Sequence, residues 1–160
     1  MKKIALIFLA LLWSGAMFAF GMKVGIDGTE KRLAKPILTQ PNYTGQEILD
    51  AVNEYRQSKK LTTLKLDEEL CNNVVNRYLV FKSPEADKEG HPGFDAWADA
   101  EIKKGYRYVG EVFSGEFTKE EVMSGWKGSP SHNEALVNPI YNRGCSYAGD
   151  YGVVVLLGAK

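Results

Sequence analysis

The sequence carries no excess of charge: twenty lysines and arginines face twenty aspartates and glutamates across 160 residues. A broad electrostatic footprint for DNA, RNA or an acidic lipid surface is therefore not expected, and cationic recognition would have to come from a local basic patch. Internal repeats are absent. Sixteen glycines, six prolines and a scatter of aromatic residues exclude low-complexity, collagen-like and disordered classes. The length leaves room for one sizeable core and excludes two large domains. The chain also lacks a Gly-x-Ser-x-Gly elbow, a phosphate-cradling glycine loop and a cysteine–histidine pair in a recognisable local setting, so no nucleophile stands out.

What is present begins with Lys2 and Lys3, followed by an apolar run over residues 4–22 broken only by Ser14, Gly15 and Gly21. A charged start followed by a hydrophobic run is the order of a secretory signal, with small residues permitting cleavage after Ala16 or Gly21. A run of this length is also nearly enough to span a bilayer, so an uncleaved anchor is the competing reading. Either way, the remainder lies outside the cytoplasm, secreted, periplasmic or anchored, and contact with a membrane is expected only through this segment. No cysteine follows to carry a lipid. Loss of residues 1–21 would remove Lys2 and Lys3 and no acid, leaving eighteen basic residues against twenty acidic ones. Residues 22–43, with Pro36 and Pro41 and no sustained periodicity, read as a tether, and the globular domain is expected over 44–160.

Local signals then place the elements. Thr44-Gly45-Gln46-Glu47 has the capping-box spacing, and Ile48, Leu49, Val52 and Tyr55 recur on one face of the helix it starts, with Arg56 expected off that face. Asp67 caps a second helix bearing Leu70, Cys71, Val74, Val75, Tyr78, Leu79 and Phe81, which Ser83-Pro84 ends. Residues 94–104 form a shorter helix stopped at Gly105. Thr118 opens another that carries Val122, Met123 and Trp126. Ser131-His132-Asn133-Glu134 repeats the capping-box pattern and sets His132 in the first turn of a short helix. Residues 106–113, 144–148 and 151–157 read as strands, with Gly149-Asp150 turning between the last two. Helices first and a late hairpin indicate an α+β fold.

Few residues carry chemistry. Both histidines, His91 in Gly90-His91-Pro92-Gly93 and His132 after Ser129-Pro130-Ser131, sit beside turn formers that hold backbone near the surface. Glu111 lies among apolar residues in a strand, so it either faces solvent by alternation or has a partner, because burying a lone charge is costly. Either imidazole would serve. If the three converge, they form a hydrogen-bond network or hold a divalent ion such as zinc through the neutral imidazoles of His91 and His132. Ser131 beside His132 has the look of a nucleophile and base, but the cap explains it more simply. Cys71 and Cys145 permit one disulfide, with two separately buried thiols as the alternative.

Four pieces occur in order: Ile48-Leu49-Asp50-Ala51-Val52-Asn53-Glu54-Tyr55-Arg56, Leu64-Lys65-Leu66-Asp67-Glu68-Glu69-Leu70, Gly110-Glu111, and Trp126-Lys127-Gly128-Ser129-Pro130-Ser131-His132-Asn133. Together they resemble the bacterial branch of the CAP superfamily, that of cysteine-rich secretory, antigen 5 and pathogenesis-related proteins, also called the SCP domain. The resemblance covers residues 45–158. It implies a three-layer α-β-α sandwich and a surface cleft of two histidines and two acids, which in some members binds zinc or another divalent ion. His132 and Glu111 match the family's later histidine and its glutamate, and His91 its earlier histidine. Val112 replaces the asparagine that usually follows the glutamate. Ser129 stands where many eukaryotic members place the second acid, and no motif assigns that role to Glu116, Glu120 or Glu121. A cleft with no identifiable nucleophile leads to the expectation of an extracytoplasmic binding or interaction protein whose ligand is a lipid, a small molecule or a protein, while the charge balance argues against a nucleic acid. The alternative is a metal-dependent, peptidase-like hydrolase working in the same cleft.

Overall fold

The computed structural model describes residues 40–83 and 90–160. The expected signal or anchor and residues 22–39 of the expected tether lie outside the described residues. Among the described residues, no helix is long and apolar enough to cross a membrane.

Among the described residues, five helices and four strands follow in chain order: α1 (Gly45–Ser58), β1 (Lys65–Leu66), α2 (Glu68–Phe81), α3 (Phe94–Lys103), β2 (Tyr108–Ser114), α4 (Lys119–Gly128), α5 (Pro130–Val137), β3 (Arg143–Gly149) and β4 (Gly152–Ala159). The sheet runs β1-β3-β4-β2, with β1 parallel to β3 and the other neighbours antiparallel. β4 is central and buried along its whole length, which is why its sequence is a nearly unbroken apolar run. Its side chains alternate. Val153, Val155 and Leu157 pack with Ile48, Val52, Val122, Trp126 and Leu136 of α1, α4 and α5. Val154 and Leu156 pack with Leu70, Val74, Tyr78 and Phe81 of α2, with Trp97 of α3 against them. Two helical layers therefore enclose one sheet, an α+β fold of three layers.

The caps read from sequence form as expected at three helices. Thr44 and Glu47 make the reciprocal capping box, and the side chains of Asp67 and Thr118 accept from the backbone of Leu70 and Glu121. The fourth differs. Ser129 ends α4 and starts α5, which begins at Pro130, two residues before the start implied by a Ser131 cap. Proline suits a first helical position, where its fixed φ fits and its missing N–H costs nothing. His132 remains in the first turn.

The hairpin turn is also one residue later than expected. Gly149 pairs with Gly152, leaving Asp150 and Tyr151 at the tip. Gly152 has φ of 126°, and a Cβ there would stand 2.0 Å from the Ser114 carbonyl oxygen, so no other residue fits without displacing β2. Strand β1, two residues long, carries no periodicity to read.

Cys71 and Cys145 are joined, tying α2 to β3 across 74 residues with Cα atoms 5.2 Å apart. Closing a loop of that length stabilises the fold by about 4 kcal/mol in the chain-entropy account. Tyr43, at the end of the expected tether, is buried in the α1-side core and donates to the Glu116 carbonyl at 2.5 Å.

Arg56 is fully buried, contrary to its expected place off the apolar face of α1. Its guanidinium donates to the carbonyls of Thr62, Leu136, Asn138 and Tyr141 at 2.7 to 3.1 Å. A fixed fork of N–H donors can satisfy several main-chain carbonyls at once, which is the reason a charged group is tolerated there. Burial pulls its pKa below the ordinary arginine value.

Candidate functional site

Glu111 sits on the α2 side of β2, opposite Leu156. Its carboxylate is completely buried and grips Arg77 of α2, with Nε 2.6 Å from Oε2 and Nη2 2.7 Å from Oε1. The third donor of Arg77, Nη1, reaches the Pro92 carbonyl at 3.0 Å, and the guanidinium lies 5.7 Å from the Trp97 ring centre. This two-pronged pairing is what makes the buried charge tolerable. Burial alone would raise the Glu111 carboxyl. The hydrogen bonds from Arg77 and His91, with their charges, outweigh it and hold the group below its ordinary 4.5.

His91 completes the chain. Its Nδ1 is 3.0 Å from Glu111 Oε1, and its ring is 37% exposed. An ionised carboxylate only accepts, so Nδ1 carries the hydrogen and Nε2 of the neutral ring is left as an acceptor. The ring is set by the loop that carries it. Phe94 N–H bonds back to the His91 carbonyl at 3.2 Å, and Gly93, at φ of 64°, turns the chain into α3. Aromatic edges complete its surroundings, with Phe81 at 5.5 Å and Phe94 at 6.4 Å between ring centres.

His132 arrives from α5, its ring 6.3 Å from that of His91 and inclined by 64°. It makes no hydrogen bond to Glu111 among the described residues. Burial first, and then the charge of His91, lowers its pKa below the ordinary 6.5, so the neutral ring prevails at neutral pH. Ser131 does not pair with it; its hydroxyl oxygen lies 3.5 Å from that of Ser129.

An open groove of about 500 Å³ is lined by His91, Gly93, Phe94, Asp95 and Ala96. Val112, which stands where the resemblance expects asparagine, is fully buried in the α1-side core and takes no part in the groove. A wider groove of about 630 Å³ between α1 and α4 contains none of the three candidate residues.

The residues do not fit a catalytic zinc centre of three protein donors. Both oxygens of Glu111 are engaged by Arg77, one of them also by His91, and Nδ1 of His91 is committed to Glu111. Among the described residues no group of three histidine, cysteine, aspartate or glutamate side chains is placed to share an ion. What remains is the His91 imidazole at a surface groove, with the ring of His132 beside it, each able to accept or donate hydrogen bonds.

Arg77 was not singled out from sequence. The available signal was its place in the stripe Leu70, Val74, Tyr78 and Phe81, where a charge requires a buried counterpart, and Glu111 was the one acid already marked as needing a partner.

A model of the cysteine-rich secretory protein family matches residues 49–156. No curated protein matches the chain. Among solved structures, a cysteine-rich secretory protein from Staphylococcus aureus is similar, with a TM-score of 0.63, 20% identity and coverage of 78% of this chain and 40% of that one. An outer surface protein from Borrelia burgdorferi follows at 0.60, with 21% identity and coverage of 72% and 91%. An extracellular SCP-domain protein from Bacillus anthracis gives 0.56, 18% identity and coverage of 72% and 40%. The chain thus spans less than half the length of the first and third of these. At such identities the likeness is one of fold.

Proposed function

The chain belongs to the cysteine-rich secretory protein family, and from that premise we propose that it is an extracytoplasmic binding protein whose ligand meets the His91–His132 edge. One observation carries the reading. A buried, doubly bonded Arg77–Glu111 pair fixes the orientation of a half-exposed His91 beside His132, and that rigidity serves recognition at the groove. The location is supported by the printed descriptions of the similar Borrelia and Bacillus proteins as an outer surface and an extracellular protein.

Proton NMR of the two imidazoles tests the proposal against a panel of short peptides, glycans and fatty acids. A ligand is expected to move both imidazole signals and to lose binding when His132→Ala is introduced in a still-folded protein. Turnover of a peptide, ester or glycan that His132→Ala abolishes would contradict a role limited to binding.

A further inference from the structure

Where β1 and β3 begin and β4 ends, Lys65 stands directly opposite Arg143 in the parallel pair, so two positive side chains share one face of adjacent strands. Like charges so placed repel and destabilise the sheet unless something negative joins them. Arg107 lines the same groove, of about 570 Å³, together with Thr62, Thr63 and Asn142, and no acid lines it. Among the described residues the side chains of Lys65 and Arg107 have no acidic partner. Asp67 approaches Arg143 only to 3.9 Å, and its carboxylate is already engaged by Lys160 Nζ at 3.0 Å, by the Tyr106 hydroxyl and by the Leu70 N–H. Arg143 is held in place by a bond from Nη1 to the Asn142 carbonyl at 3.2 Å.

We propose that this groove is a binding site for a phosphate group, separate from the histidine edge. A phosphate monoester brings close to two negative charges and three acceptor oxygens, matching two guanidinium forks and an ammonium better than a single carboxylate does. The hydroxyls of Thr62 and Thr63 add neutral donors. Because the whole chain is neutral, recognition here is local and does not depend on long-range attraction.

Calorimetry with inorganic phosphate and with glycerol phosphate tests the site. Arg143→Gln is expected to weaken binding roughly tenfold, the loss of one charge-assisted pair, and the triple change K65Q, R107Q, R143Q to abolish it. Lys82→Gln, which removes a cation already paired with Asp150, is expected to leave binding unchanged. Vesicles of phosphatidic acid in phosphatidylcholine distinguish the source. Retention of the wild type above the triple variant assigns the site to a lipid headgroup. Binding of the soluble esters alone assigns it to a free phosphoester. Without phosphate, Lys65→Gln, which leaves the contacts of Arg143 in place, should melt at or above the wild-type temperature. Unchanged phosphate affinity in the triple variant overturns the proposal, and so does a lower melting temperature for Lys65→Gln, which would show that this cation serves the fold.

Discussion

Two buried arginines, one on each face of the sheet, solve the same problem in different ways. Arg56, on the α1 side, is surrounded by neutral main-chain carbonyls and has no counter-charge among the described residues. Arg77, on the α2 side, spends two donors on a carboxylate and one on a carbonyl. The first arrangement ties α1 to the loop that follows it, to the end of α5 and to the segment after α5, and leads nowhere further. The second transmits order through Glu111 to a ring at the surface. A buried charge fixed by main chain is a staple; a buried charge fixed by a second side chain can pass its orientation to a third.

Removing each guanidinium separates the two. Arg56→Met should lower stability by roughly 4 kcal/mol or more, since several buried carbonyls lose their donor at about 1–3 kcal/mol each. No single further substitution should rescue it, because its partners are backbone. The histidine signals in NMR should be little changed in whatever fraction stays folded. Denaturant unfolding measures the first effect.

Arg77→Met should cost about 3 kcal/mol, the usual penalty for leaving a buried charge alone. Here rescue is expected. Adding Glu111→Leu replaces the orphaned carboxylate with an apolar group and should recover most of the stability, while leaving His91 without its anchor. Non-additivity between the two changes is the measurable signature, and additive losses would show that the pair is not the unit described.

A smaller effect appears on acidification. The folded-state pKa of Glu111 is depressed, so its contribution is fully present above its unfolded value of 4.5 and is lost as pH falls through the lower folded value. His132 adds in the same direction. Its depressed pKa means that the unfolded chain takes up a proton first, so stability declines as pH drops below 6.5. Thermal melts between neutral pH and pH 3 should show both, with Glu111→Gln flattening the acidic part and His132→Ala the part near pH 6.

Legibility in the sequence followed the range of the interactions. The caps at Thr44, Asp67 and Thr118 were readable because donor and acceptor lie three residues apart. Arg77 and Glu111 are separated by 34 residues, so each shows only that it needs a partner, not which one. Arg56 was misplaced because its charge was taken as a sign of surface, although it follows Val52 by four residues and Leu49 by seven on the same face; four carbonyl bonds make its burial tolerable. The start of α5 moved because Pro130 favours the first helical position more strongly than Ser131 favours the cap. Of the cleft, His91, Glu111 and His132 were marked by residue type and turn context. The aromatic edge of Phe81 was not, since nothing local marks it as a neighbour of His91.

The central claim is that buried charge on the α2 side orients His91 for the surface. Long-range proton–nitrogen correlation of the two imidazoles at neutral pH tests it directly. Neutral His91 should be found with its hydrogen on Nδ1 and a bare Nε2, and Glu111→Gln should erase that preference while leaving His132 titrating below 6.5. A hydrogen on Nε2 of His91 in the unaltered protein would contradict the account.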